Sequence, residues 1–169
     1  MTPEDHLRAA LAGLGFQDDP ETAQTPERMA QFLREFAPGK PPELSTFPVT
    51  SSGAVVLRDL PFYALCAHHL LPFFGTATIG YMPSDRVGGF SGIARLLQYR
   101  SRGPQLQERM AEQLADDMVA SMGATGVVVK LSARQLCMEM RGACTPGTVD
   151  VFAERGDPTP IYKALNPGA

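Results

Sequence analysis

Cys66, His68 and His69 stand within four residues of one another in a chain that holds only three cysteines and three histidines. Cys-x-x-His puts two good zinc ligands on one tight turn, and the third must come from elsewhere in the chain. Any fold this sequence adopts therefore has to carry a distant thiol to that turn. Three protein ligands leave a fourth position for water, the composition of a hydrolytic zinc site rather than a closed structural one. His68, beside the ligand pair, is a candidate general acid or base near pH 7; its bland reading is a polar turn residue. Cys137 and Cys144 compete for the third ligand position. Seven residues apart, they would face opposite sides of one continuous strand, but Gly142 and Pro146 can break such a strand, so periodicity leaves both open.

Around this turn the hydrophobic pattern changes period. Leu7, Leu11 and Leu14 recur at helical spacing, as do Met29, Phe32, Leu33 and Phe36. Thr25-Pro26 reads as the start of the second helix, with Thr25 as its N-cap. Residues 38–53 are rich in Pro, Gly, Ser and Thr and read as a connecting loop. Residues 54–65 and 70–81 are β-favouring, and Met82-Pro83-Ser84-Asp85 is a turn. A short helix is expected over 91–99. A longer one opens at Gly103-Pro104 and runs to about Ser121, with Leu106, Met110, Leu114 and Met118 on one face and Gly123 at its end. A strand from Val127 toward Met140, another over 148–153 and a Pro-rich tail complete the order. The expectation is an α+β domain with a mostly antiparallel sheet and its helices on one face. Such a sheet cannot bury both faces in one small domain, which makes oligomerisation plausible.

Composition narrows the partners. The net charge is −3, so no global basic field attracts nucleic acid. No apolar run reaches the roughly 18 residues of a membrane span. The N-terminal stretch has early acids and no apolar core, so no secretory signal is expected. An odd cysteine count without a disulfide spacing points to a reducing, cytoplasmic compartment with thiols free for metal. Glu108 reads either as a solvated helix carboxylate or as a site residue. Arg95, Arg100, Arg102, Arg109 and Arg141 are candidates for a phosphate-binding set, because guanidinium forks match phosphate oxygens.

At these residues the chain resembles the GTP cyclohydrolase I family, and the likeness spans nearly all of it. Thr25-Pro26-Glu27-Arg28 is similar to that family's "TP-x-R" helix start, and Cys66-Ala67-His68-His69 to its "CEHH" segment. Gly80-Tyr81-Met82-Pro83 resembles "GYIP", and Gly89-Phe90-Ser91-Gly92-Ile93-Ala94-Arg95 resembles "GLSKLAR". Gln105-Leu106-Gln107-Glu108-Arg109-Met110 resembles "QVQERL", and Leu136-Cys137-Met138-Glu139-Met140-Arg141-Gly142 resembles "LCMTMRG". The resemblance implies the tunnelling fold over residues 51–169, preceded by a helical region and loop over 1–50, in a toroidal homodecamer with sites between subunits. It implies Zn2+ on Cys66, His69 and Cys137, leaving Cys144 aside. It implies catalytic roles for His68 and at position 135, a purine nucleotide held by Gln107, Ser91, Arg95 and Arg141, and a buried Glu108 carboxylate reading guanine N1–H and the N2 amine. The implied reaction is hydrolysis at C8 of GTP, release of formate and closure to 7,8-dihydroneopterin triphosphate.

Three positions depart from the family pattern: Gly92 replaces a phosphate-binding lysine, Gln135 a histidine and Ala67 a glutamate. Losing a lysine–phosphate contact removes about 1.5–3 kcal/mol, enough to alter substrate preference. A glutamine accepts and donates hydrogen bonds but cannot shuttle protons near pH 7. These changes motivate alternatives: a paralogue acting on a different purine nucleotide, one stopping at the ring-opened formylaminopyrimidine, a non-catalytic zinc-containing scaffold, or a tunnelling-fold enzyme acting on a pterin or deazapurine.

Overall fold

The computed structural model describes residues 1–16, 19–49 and 52–166. They form two compact units, Met1–Ala37 and Pro38–Ala169. The division expected between residues 50 and 51 falls outside the described residues, as does the end of the tail at 167–169.

The first unit is a pair of helices, α1 (Pro3–Gly13) and α2 (Thr25–Glu35). Thr2 starts α1 with a reciprocal cap: its hydroxyl accepts from Asp5 N–H, and the Asp5 carboxylate accepts from Thr2 N–H. In α2 the expected cap moves by one residue. Gln24 is the N-cap, without a side-chain bond, and Thr25 already lies in the helix. Pro26 is tolerated at the second position because first-turn N–H groups have no intrahelical partner. Leu14 lies just past α1 rather than in it, and it is exposed. Arg8–Glu27 and Arg34–Glu4 ion pairs link the two helices at the surface.

The second unit runs β1 (Thr46–Pro48), β2 (Val55–Cys66), β3 (Pro72–Met82), β4 (Arg86–Gly88), α3 (Phe90–Arg100), β5 (Pro104–Gln105), α4 (Gln107–Met122), β6 (Gly126–Gln135), α5 (Leu136–Glu139), β7 (Thr148–Gly156) and α6 (Thr159–Leu165). The main sheet has the order β5-β2-β3-β6-β7 and is antiparallel except where β5 runs parallel to β2. β1 lies inside the stretch expected to be loop and pairs with β4.

Helices α3 and α4 cover one face of the sheet. Met110, Leu114 and Met118 are fully buried and join Ile79, Tyr81, Val127, Val129 and Leu131 in the core. Three of the four residues expected in the α4 stripe are thus in place, whereas Leu106 precedes the helix as its N-cap and is half-buried. Gly123 ends α4 in the left-handed region at φ 62°, where a Cβ is disfavoured. Pro104 does not open α4. Pro104 and Gln105 pair with Leu65 and Cys66, so the helix begins only at Gln107. The Pro-rich tail contains a helix, α6, whose Thr159-Pro160 repeats the start signal seen at Thr25-Pro26. It lies on the reverse face, where Ile161 sits over Gly80; a Cβ there would come within 2.4 Å of Ile161 Cγ2. Among the described residues no helix is long and apolar enough to cross a membrane.

Candidate active site

The turn between β2 and β3 is closed by its own backbone. Cys66 N–H donates to Leu71 O and Leu70 N–H donates to Cys66 O, both at 2.8 Å. Ala67 N–H donates to Gln105 O at 2.9 Å, which pins the turn to β5. Leu70 takes φ 54°, a costly conformation for a branched side chain and a recurrent mark of functional loops. The result is that Cys66 Sγ and His69 Nδ1 lie 3.9 Å apart.

The distant thiol arrives through strand pairing. β3 leaves the turn at Pro72, and its next residue, Phe73, pairs with Gln135 at the end of β6. The strand expected to reach Met140 stops there, and one helical turn, α5, swings Cys137 back over the β2–β3 turn. The ligand-capable atoms of Cys66, His69 and Cys137 all lie within 4.8 Å of one another. Cys144 is exposed at φ 49° and outside this group. The face-alternation argument for choosing between the two thiols therefore has no strand to act on. Burial pushes the Cys137 thiol up, and the Cys66 sulfur beside it pushes in the same direction.

Two sulfurs and one imidazole, converging on a partly open turn, suit a borderline-soft divalent cation such as zinc. Arg141 Nη1 lies 2.9 Å from His69 Nε2. A guanidinium only donates, so this contact leaves the ring proton on Nδ1. His68 is exposed, with its ring centroid 6.2 Å from that of His69.

The first turn of α4 sends adjacent residues in opposite directions. Gln107 is 3 % exposed, and its amide Nε2 donates to Leu131 O of β6 and Val149 O of β7, both at 2.9 Å. Its Oε1 accepts from Gln135 Nε2 at 2.6 Å. Glu108 is exposed, not the buried carboxylate expected, because the inward position of the turn is taken by Gln107. Ser91 and Arg95 are exposed on α3, while Gly92 between them is buried. A Cβ at Gly92 would meet Leu44 Cγ at 3.6 Å, so Leu44 occupies the space beside it.

The five-arginine set does not assemble. Arg100 is bound to Asp117 at 2.5 and 2.6 Å, and Arg109 donates to Gln105 Oε1 and Pro104 O. Both border, with Arg102 and Tyr99, a cavity of about 220 Å³, whereas Arg141 stands at His69. Sequence reading missed the part played by Gln105. Buried to 6 % exposure, it bonds Arg100 O, Gln113, Leu106 N–H and Arg109, and its main chain holds the turn that carries Cys66 and His69. Its sequence signal was its place in the Gln105–Met110 stretch that resembles "QVQERL", which carries no hint of what its side chain bonds.

A five-stranded curled sheet with two helices on one face and a Cys/His/Cys cluster at its end defines a tunnelling-fold protein. The structure is similar to that of an archaeosine synthase QueF-Like in its apo form, at TM-score 0.51 and 19% identity, covering 64% of this chain and 98% of that one. The sequence matches the family described as GTP cyclohydrolase I over residues 4–155. It is 40% identical over 144 residues to GTP cyclohydrolase 1 of Hydrogenobaculum sp., covering 83% of this chain and 79% of that protein. It is 38% identical over 130 residues to GTP cyclohydrolase 1 of Finegoldia magna, covering 74% and 71%. The chain belongs to the GTP cyclohydrolase I family.

Proposed function

We propose that this chain hydrolyses the guanine ring of GTP at C8, releases formate and forms 7,8-dihydroneopterin triphosphate. The observation that carries this reading is the convergence of Cys66, His69 and Cys137 within 4.8 Å at one end of the sheet, in a member of this family. Zinc held by these three residues would supply a Lewis acid that makes water nucleophilic at neutral pH.

The chain's own residues do the rest. To ligate through Nδ1, His69 must move its proton to Nε2. Nε2 then no longer accepts from Arg141, whose guanidinium is released for phosphate. His68, exposed beside the cluster, delivers a proton to the imidazole nitrogen that leaves as the ring opens. Glu108 accepts from guanine N1–H and the N2 amine, a bidentate pairing that excludes adenine. Because Glu108 is exposed in the single chain, the pocket that desolvates it is completed by a neighbouring copy, in keeping with a homodecamer. Ser91, Arg95 and Arg141 hold the phosphates, and residues 51–169 are the catalytic domain. The amide of Gln107 is engaged within the protein, so its part in holding the base is taken by its main chain.

A second reading is favoured by Gly92, which has no side chain where the resemblance implies a phosphate-binding lysine and which packs beside Leu44: the preferred purine nucleotide carries fewer phosphates than GTP. Incubation of the zinc-loaded protein with GTP, GDP, GMP and guanosine separates these readings, with formate and the fluorescent oxidised pterin followed together. Best turnover with GTP supports the first reading and best turnover with GMP or GDP the second. A ring-opened product without formate supports a truncated reaction, and zinc without turnover of any purine would leave only a scaffold.

A further inference from the structure

Of the three buried polar residues among those described, two, Gln105 and Gln107, flank Leu106 at the start of α4. Gln105 is accounted for by the turn it holds. Gln107 is the less expected, because its amide can sit in only one orientation. Leu131 O and Val149 O can only accept, so the atom facing both at 2.9 Å must be the amide nitrogen, and both its protons are used. The Gln107 oxygen is thereby turned to Gln135 and accepts from Gln135 Nε2 at 2.6 Å. That in turn fixes Gln135, because its nitrogen must face Gln107 and its oxygen must face away. The Gln135 oxygen points at Cys137 Sγ, 3.9 Å distant, on the metal cluster.

We propose that Gln107 is a positioning residue that holds Gln135 as a one-way hydrogen-bond acceptor, and that the Gln135 oxygen orients the O–H of the water attacking the purine ring. This rests on the reading proposed above. As a thiolate ligand, Cys137 has no proton to give, so the Gln135 oxygen needs another donor at the cluster, and the attacking water carries one. No proton is transferred to Gln135. It aims a lone pair of the water by fixing one of its protons, an orienting contribution that acts on turnover rather than on substrate affinity. Gln107 thus links two strands and the Cys66/His69/Cys137 cluster through a single side chain that does not itself touch substrate.

The test is a double-mutant cycle of Gln107→Met, Gln135→Met and the pair, on zinc-loaded protein whose metal content is measured for each variant. Gln135→Met leaves both strand bonds of Gln107 in place. We expect it to lower kcat by roughly 10-fold, with KM and zinc content unchanged, as one lost hydrogen bond allows. Gln107→Met should lower kcat by a similar factor, and the pair no further than Gln135→Met alone. Should Gln107→Met not fold, Gln107→Asn takes its place: it keeps a buried amide in the site but draws it back by one methylene from Gln135. In cobalt-loaded protein the thiolate-to-metal absorption should shift in the same direction in both single variants. Unchanged kcat in Gln135→Met, losses that multiply in the pair, or a loss that follows zinc content would each overturn the proposal. A wild-type protein that makes no formate from any purine would instead sink the parent reading, and in that case the cobalt band alone decides whether Gln107 acts on the cluster through Gln135.

Discussion

At one end of the β3–β6 ladder, Tyr81 pairs with Val127 and both lie fully buried beneath α4; at the other, Phe73 pairs with Gln135, one residue from the turn that carries Cys66 and His69. The first end is held chiefly by apolar packing, which stabilises by removing area from water, with Tyr81 OH accepting from Gly88 N–H and Arg155 bonded to Asp116 and Glu112 at its margin. The second relies more on directional bonds: Gln107 to two strands, Ala67 N–H of the β2–β3 turn to Gln105 O, and Arg134 to Glu139. It also contains two non-glycine residues at positive φ, Leu70 and Cys144. The contrast teaches a division of labour. The packed end supplies the free energy of folding, and the bonded end uses part of it to hold strained turns and convergent ligands.

The sharpest way to break this comparison is to remove a ligand. Cys137→Ser should lose at least about 100-fold in formate production, with zinc content falling in parallel, because one thiolate of three is gone. Its melting temperature without metal should stay near that of the metal-free parent. Cys144→Ser should retain full zinc content. Chelator treatment followed by zinc should restore the parent and not Cys137→Ser; recovery in that variant would mean that Cys137 is no ligand.

The opposite manipulation acts on the packed end. Leu114→Ala empties a fully buried site and should cost about 2–5 kcal/mol of stability, read by denaturant unfolding. Turnover per folded, zinc-loaded molecule should stay the same at low temperature. A fall in turnover with unchanged stability would erase the distinction between the two ends.

How much of each end could be read from the residues follows from the same contrast. The α4 stripe is local and periodic, so Met110, Leu114 and Met118 are placed by spacing alone. Cys66 and His69 are equally local, since a turn of four residues brings them together. Cys137 is not: its position depends on β6 stopping at Gln135 and α5 turning back, and no local signal separates a strand that kinks from one that ends in a helical turn. Pro104 misled for a related reason, because a proline that can open a helix can equally sit on a short edge strand, and the deciding partner, Leu65, is far away in the chain. The role of Gln107 needed the carbonyls of Leu131 and Val149, which no one-dimensional pattern displays. Resemblance to the family named the ligand set, but the exposure of Glu108 and the packing of Leu44 beside Gly92 became visible only in three dimensions.

A smaller effect is expected at Glu108. Glu108→Gln should lower kcat/KM for GTP by about 10- to 100-fold, since a charge-assisted pairing is replaced by a neutral one. Stability should change little, because the side chain is exposed and the helix start is held by Gln107. Equal loss for adenine and guanine nucleotides would remove Glu108 from base reading.

The smallest predicted effect concerns pH, and it separates the two ends by whether the deficit titrates. Arg134 donates to Glu139 from Nε at 3.0 Å and again from Nη2, tying α5 to the end of β6. This pairing, chiefly the hydrogen bond, holds the Glu139 carboxyl below its ordinary 4.5. A carboxylate whose value is depressed in the folded state contributes stability above its unfolded value and loses it as pH falls through the folded one. The contribution should therefore be constant above about pH 4.5 and fade below it, and salt should weaken it because the Arg134 side of the pair is exposed. Glu139→Gln should melt slightly below the parent at neutral pH, and the gap should close on acidification. Leu114→Ala, which has no titrating partner, should keep its deficit through the same window. A Glu139→Gln gap that persists unchanged below the ordinary carboxylate range would mean that the metal end is held by packing after all, with the Arg134 bond incidental to the placement of Cys137.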